Sequence, residues 1–215
     1  MARSDLSLRA IIILAGGRSS RFGRDKALVD FAGKPLLAHI IHRLQDIADE
    51  YVVSIGRNDA ADDYRHILPK DTILAQDTVD FQGPLAGFIS ALDKCKSTEC
   101  FLGACDMPSI EPKAVEYLFH KAEDSSGAVP KWRDGRLEPL HAVYNCNATR
   151  RASRQVVQEQ TVSMISLVDH LPRVKFVSVE DEITPLDPEL RTFLNLNTPR
   201  DLEKLERDYL GRESR

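Results

Sequence analysis

Residues Ala10 to Lys26 read AIIILAGGRSSRFGRDK, and the character of the chain changes midway through them. Ile11, Ile12, Ile13 and Leu14 form an apolar run without alternation, the pattern of a strand buried on both faces of a parallel sheet. The run stops at Ala15, Gly16 and Gly17, and Arg18, Arg21, Arg24 and Lys26 then fall within nine residues. Glycines at the C-terminal end of a strand let backbone N–H groups come close to an anion, and basic side chains neutralise it. These residues point to a phosphorylated ligand. Glycine and charge alone leave open an ordinary strand–loop junction with a solvated basic face. The spacing disfavours both familiar phosphate loops: no Gly-Lys-Ser/Thr triplet follows Gly17, and Gly16, Gly17 and Gly23 do not fit G-x-G-x-x-G.

Composition sets the outer bounds. A chain of 215 residues, 42% hydrophobic and 29% charged, is long enough for one substantial core. A net charge of −4 argues against nucleic acid or an anionic membrane as a broad partner, which makes the basic cluster after β-branched Ile13 a local feature. The apolar run Ala10 to Ala15 falls far short of the roughly 18 residues that span a bilayer, so no membrane partner is expected. Residues 1–9 mix charges without a cleavage signature, and the expected compartment is the cytoplasm. Cys95, Cys100, Cys105 and Cys146 contain no C-x-x-C and no zinc-like pairing with histidine; Cys100 and Cys105 read as small buried hydrophobes.

Downstream, the spacing of Leu36, Leu37, Ile40, Ile41, Leu44 and Ile47 predicts a helix to about Ala48, with His39 and His42 on its surface. Strands are expected at Tyr51 to Ile55 and Thr72 to Ala75, with a short helix between them around Asp59 to Ile67. Gly83, Pro84, Leu85 and Gly87 open a helix to about Lys94, where a first-turn proline is structurally ordinary and the flanking glycines suggest a close neighbour. Cys100 to Cys105 is a further buried strand, ended by Asp106-Met107-Pro108. A carboxylate there sits where open α/β sheets place their ligands, and it is a hard donor suited to Mg²⁺ carrying substrate phosphates. A helix cap or a turn aspartate would equally account for Asp106 taken alone.

A helix over Pro112 to Glu123 precedes two strands, Ala128 to Trp132 and Leu137 to Asn145, around the turn Arg133-Asp134-Gly135-Arg136. Lys131, Arg133, Arg136, Arg150, Arg151 and Arg154 are candidates to meet a second substrate's phosphate, a solvated basic face being the alternative for each. Helices near Ala148 to Glu159 and Ser163 to His170, a strand Val174 to Val179 and a surface loop Asp181 to Arg191 follow. Thr198, Pro199 and Asp201 make a well-formed start for a last helix to about Leu210.

The string L-A-G-G-x-x-x-R-F-G-x-x-K, from Leu14 to Lys26, resembles the opening loop of nucleotidyltransferases that build sugar nucleotides and nucleotide-linked cofactors. Within them the chain looks most like the molybdenum cofactor guanylyltransferases (the molybdopterin-guanine dinucleotide biosynthesis protein A family), through Gly83-Pro84-Leu85-Ala86-Gly87, Asp106-x-Pro108 and Asn195-x-Asn197-Thr198-Pro199 in the expected order. The resemblance covers Ile11 to Leu210. It implies a doubly wound, Rossmann-like α/β fold with a mostly parallel central sheet and helices on both faces. Residues 1–9 would be a flexible N-terminus and 10–211 a single domain, with a nucleotide-binding half (10–110) and an acceptor-binding half (111–211). The implied reaction is Mg²⁺-dependent transfer of GMP from GTP to molybdopterin carrying molybdenum or tungsten, with transient delivery to molybdoenzymes. Other phosphorylated acceptors, or CTP as donor, are the alternatives.

Carried over residue by residue, the resemblance makes Arg21, Lys26 and Asp106 catalytic and Asp106 the Mg²⁺ ligand. Leu14, Ala15, Gly16, Gly17, Lys26, Asp77, Gly83, Pro84, Leu85, Gly87 and Asp106 would bind nucleotide, and Asn195 and Asn197 the acceptor phosphate. Gly17 and the second glycine motif resemble the guanine-selecting branch. Two departures stand out: Glu138-Pro139 followed by His141 replaces the family's His-Pro, and Ile55-Gly56 stands where a nucleotide-reaching asparagine is usual, leaving backbone contact there. The chemistry agrees with the residue types. A phosphate monoester, with its second pKa of about 6, is already an ionised nucleophile near neutral pH. No Ser/His/Asp triad is needed; positioning, cations and metal carry such a reaction.

Overall fold

The structure, a computed structural model, describes residues 8–16 and 25–213. Its central strand is β1 (Arg9–Leu14), where side chains alternate between faces. Ile11 and Ile13 enter one apolar layer, and Ala10, Ile12 and Leu14 enter the other. A strand with no polar alternation therefore needs helices on both sides. Complete burial of each isoleucine contributes about 1.5–3 kcal/mol. The strand begins at Arg9, and the Leu8 carbonyl already accepts from the Thr98 and Glu99 amides, so pairing starts ahead of the expected boundary at residue 10.

In chain order, a short antiparallel pair, β2 (Asp30–Phe31) and β3 (Lys34–Pro35), leads into α1 (Leu36–Arg43), β4 (Glu50–Ile55), α2 (Ala61–Arg65) and β5 (Ile73–Gln76). Then come α3 (Pro84–Lys94), β6 (Glu99–Ala104), α4 (Pro112–Ala122), β7 (Gly127–Lys131) and β8 (Ala142–Asn145). The chain ends with α5 (Cys146–Gln158), α6 (Met164–Asp169), β9 (Val174–Ser178) and α7 (Pro199–Glu213). Seven strands make one mixed sheet in the order β5-β4-β1-β6-β8-β7-β9. It is parallel except where β8 runs against both β6 and β7. Residues of α1, α4 and α7 pack on one face of the sheet, and residues of α3, α5 and α6 on the other. From β1 the chain winds outward through β4 to β5 and then returns to the far side of β1 as β6. The strand order therefore reverses between β1 and β6, the kind of point at which open α/β sheets bind ligands beyond the carboxyl ends of their strands.

Several expected elements differ in extent. The first helix ends at Arg43 instead of about Ala48, yet Leu44 and Ile47 stay in the core through a turn. The second strand of the hairpin is shortened to Ala142–Asn145; Leu137 makes one isolated bridge to Lys131, and residues 138–141 turn away. The expected surface loop after β9 opens with a helical turn, Val179–Ile183, whose two end residues are fully buried. At the last helix Thr198 Oγ1 accepts from the Asp201 amide (3.2 Å) and Asp201 Oδ2 from the Thr198 amide (2.8 Å), a reciprocal cap. No helix among the described residues is long and apolar enough to cross a membrane.

His39 corrects the reading of two surface histidines. Only His42 is exposed, whereas His39 is buried between Phe31 and Tyr209 with Nε2 at 3.2 Å from the Pro108 carbonyl. The helical turn that puts His42 in water turns position 39 inward toward α7. His141 is buried likewise, with Phe101 and Phe193 at its ring edges and Nε2 at 3.1 Å from Thr192 Oγ1.

Burial, reinforced by the nearby Arg43 charge, lowers the His39 pKa to about 4, and burial lowers that of His141 to about 3. In the unfolded chain both titrate near 6.5. Below that pH the unfolded state binds protons that the folded state refuses, so each histidine destabilises the fold as pH falls from about 6.5 toward 4. The expected slope is about 1.4 kcal/mol per pH unit for each histidine. Urea unfolding at pH 7, 6, 5 and 4.5 should show this loss, and His39→Gln or His141→Gln should make it shallower.

Candidate functional site

The carboxyl ends of β1, β4, β5 and β6 lie along one edge of the sheet, and the residues singled out in the sequence come from the loops there. Lys26 follows the opening loop, in a short turn over Lys26–Leu28 that the Asp25 side chain caps by accepting from the Ala27 amide. Its Nζ donates to the Leu196 carbonyl at 2.5 Å and lies 3.6 Å from Asp106 Oδ2. Leu196 in turn donates its amide to the Asp106 carbonyl at 2.7 Å. Three segments separated by 80 to 170 residues thus meet at the reversal point between β1 and β6. The Lys26 side chain is 13% exposed and that of Asp106 31% exposed, so the carboxylate keeps an open face.

A second group lies on the β4–β5 side. Ser54 Oγ donates to Asp77 Oδ1 at 3.2 Å, and the Gly87 backbone presses against both. A Cβ on Gly87 would lie 2.7 Å from Ser54 Oγ, 3.3 Å from Leu14 Cδ2 and 3.4 Å from Asp77 Oδ1. Leu14, Asp77 and Gly87 are therefore gathered around Ser54. Burial raises the Asp77 pKa, and the Ser54 hydrogen bond opposes that shift. Leu14 also joins this group to the first one, because its carbonyl accepts from the amide of Cys105, next to Asp106.

Gly16 is needed for close approach. The amides of Ala15 and Gly16 both donate to the Ser54 carbonyl, at 2.8 and 3.1 Å, and a Cβ on Gly16 would lie 2.5 Å from the Gly56 nitrogen. This corrects the expected use of those two amides as anion donors: β4 takes both, because the strand pairing continues one step past β1. Gly17, Arg18, Arg21 and Arg24 lie outside the described residues.

Other expected residues stand further apart. Gly83 and Pro84 are exposed at the start of α3, while Leu85 is buried beneath them. Asn195 and Asn197 are exposed on either side of buried Leu196, and the Asn197 amide donates to Asp201. Asn195 instead borders a cavity of about 270 Å³ shared with Arg191, Lys204 and Asp208. The candidate cations of the second half are spread over the β7–β8 connection and α5. Arg150 Nη2 donates to the Leu92 and Cys95 carbonyls and so caps the end of α3, which is neither of the two roles left open for it, phosphate contact or a solvated basic face. Arg133 pairs with Asp181, Arg136 lies over Trp132 and Lys131 over Phe176, while Arg151 and Arg154 are exposed on α5. His141 is too deeply buried to meet an acceptor. Sequence reasoning missed Ser54, Leu196 and Asp25. Leu196 contributes only backbone groups, and no side-chain pattern announces those.

Residues 11–172 match a family model described as MobA-like NTP transferase domain. The chain belongs to this family. Among relatives of this MobA-like chain, a protein of Methanosarcina mazei named "Probable molybdenum cofactor guanylyltransferase" is 35% identical over 93% of this chain and 90% of its own length. One of Pseudomonas entomophila named "Molybdenum cofactor guanylyltransferase" is 37% identical over 64% of this chain and 71% of its own. The fold is shared with the crystal structure of molybdopterin-guanine dinucleotide biosynthesis protein A from Archaeoglobus fulgidus (TM-score 0.77, 24% identity, 94% of this chain and 99% of that one). It is shared too with 2-C-methyl-D-erythritol 4-phosphate cytidylyltransferase from Thermus thermophilus (TM-score 0.66, 18% identity, 94% of this chain and 100% of that one).

The two close-packed glycines of this MobA-like site differ in what a methyl group would strike. At Gly16 it meets backbone, and at Gly87 the end of a serine side chain that can rotate. Gly16→Ala is expected to cost about 1–3 kcal/mol, and Gly87→Ala under about 1.5 kcal/mol, in urea unfolding. Equal costs would show that the Gly56 backbone yields as readily as the Ser54 hydroxyl.

Proposed function

We propose that the protein transfers GMP from GTP to the phosphate of molybdenum-bearing molybdopterin, forming the guanine dinucleotide cofactor and releasing pyrophosphate. The observation that carries this reading is the meeting of Lys26 and Asp106 at 3.6 Å beside the Leu196 carbonyl, in a chain whose relatives bear the guanylyltransferase name. The acceptor's phosphate oxygen attacks the α-phosphorus of GTP while the bond to the β-phosphate oxygen breaks. Lys26 meets the triphosphate, Arg21 joins it, and Asn195 and Asn197 orient the acceptor phosphate. Asp77 contacts the nucleoside, with Gly17 and the Gly83–Gly87 turn reading the base.

Asp106 would hold Mg²⁺. Among the described residues no three or more His, Cys, Asp or Glu side chains gather to hold a metal, and Asp106 presents a partly exposed carboxylate. That donor set fits an ion which keeps its waters and takes further ligands from substrate phosphates. When bound, it neutralises charge that builds on the phosphate oxygens during transfer. We assign the enzyme to the cytoplasm, where its product passes to molybdoenzymes.

Pyrophosphate release, followed with GTP or CTP against molybdenum-bearing molybdopterin or a sugar phosphate, tests the reading. Release is expected with GTP and molybdopterin together, and chelation of Mg²⁺ should stop it. A preference for CTP would overturn the donor, and turnover with a sugar phosphate alone would overturn the acceptor. Asp106→Asn should lower kcat by about a hundredfold or more with the circular dichroism spectrum unchanged.

A further inference from the structure

Gly16 and Asp25 are both held by the same short segment, Ser54 to Tyr64. At the first, Ser54 accepts the Ala15 and Gly16 amides, and Gly56 stands against the Gly16 backbone. At the second, the Tyr64 hydroxyl donates to Asp25 Oδ2. Asp59 links the two anchors: its Oδ2 accepts from the Gly56 amide at 2.7 Å and lies 3.3 Å from the Tyr64 hydroxyl. The Tyr64 ring is 1% exposed in the core, so its hydroxyl is a fixed point. Asp25 uses its other oxygen, Oδ1, to cap the turn that carries Lys26.

We propose that Tyr64 is a positioning residue for nucleotide binding: through Asp25 it fixes the turn that carries Lys26, without touching the nucleotide. The inference rests on the proposed nucleotide site. A lysine whose backbone is already fixed loses less conformational entropy when its ammonium group meets a phosphate. A buried tyrosine hydroxyl also needs a partner for stability alone, and that role would leave ligand affinity unmoved.

Calorimetric titration of GTP with Mg²⁺ onto the intact protein separates the two roles. Tyr64→Phe keeps the ring and removes the hydroxyl. Asp25→Ser keeps a capping oxygen, because serine is a good cap, but is too short to reach Tyr64. Each is expected to raise the Kd for GTP about fivefold to tenfold, and the double variant no further than the weaker-binding single. Wild-type affinity in Tyr64→Phe, or effects that multiply in the double variant, would overturn the proposal and leave the nucleotide site standing. Failure of the wild-type protein to bind GTP would instead sink the nucleotide site, and the role of Tyr64 with it.

Discussion

A largely buried ammonium group governs how this molecule is assembled. Taking the Lys26 charge out of water costs several kcal/mol unless partners replace the lost hydration. Two of its partners come from far along the chain. The carbonyl comes from Leu196 near the last helix, and the carboxylate from Asp106 beyond β6. The same Leu196 is tied to the Asp106 backbone through its amide, so the C-terminal segment is held to the sheet at the point where Lys26 needs it. Apolar packing of Leu196 and Leu205 into the core supplies the bulk attraction, and the Lys26 contact supplies the register.

The constraint also explains how much of the molecule could be foreseen. An apolar run without alternation, ended by glycine, identifies a doubly covered parallel strand, because only helices on both faces bury Ile11, Ile12 and Ile13 together. Asp106 at a strand end and Thr198 before a proline are legible for similar reasons: the local chemistry of a strand terminus or a helix cap calls for those side chains. Backbone bonds are not legible in this way. Nothing in Ala15 and Gly16 tells that Ser54 takes their amides, since any residue at position 54 offers a carbonyl. Nor does helical periodicity distinguish His39 from His42. Which of them meets Tyr209 depends on where α7 returns, a distance of 170 residues along the chain.

The second half illustrates the other limit. Six basic residues in a row of elements suggest a phosphate site, but a cation is equally useful as a helix terminator or an ion-pair partner. Arg150 shows this: two carbonyls at the end of α3 lack amide partners from their own helix, and a guanidinium fork satisfies both. Arg133 and Arg136 are likewise engaged by Asp181 and by Glu138 with Trp132. Charge counted along a sequence therefore overstates the charge left for a ligand.

That surplus is what the strand edge preserves. Lys26 meets the Leu196 carbonyl at close range and the Asp106 carboxylate at 3.6 Å, and Asp106 keeps nearly a third of its side chain in solvent. A tighter ion pair would satisfy both groups and leave little reason to exchange either partner for a phosphate oxygen or a metal ion. The looser one holds the two charges in place and leaves the Asp106 carboxylate capacity for a further ligand. Reactions between polyanions depend on such capacity more than on a nucleophilic side chain. The two buried histidines, neutral near pH 7 and turned into the core, fit that division of labour: the fold uses these two rings in packing and keeps the Lys26 and Asp106 charges at the strand edge.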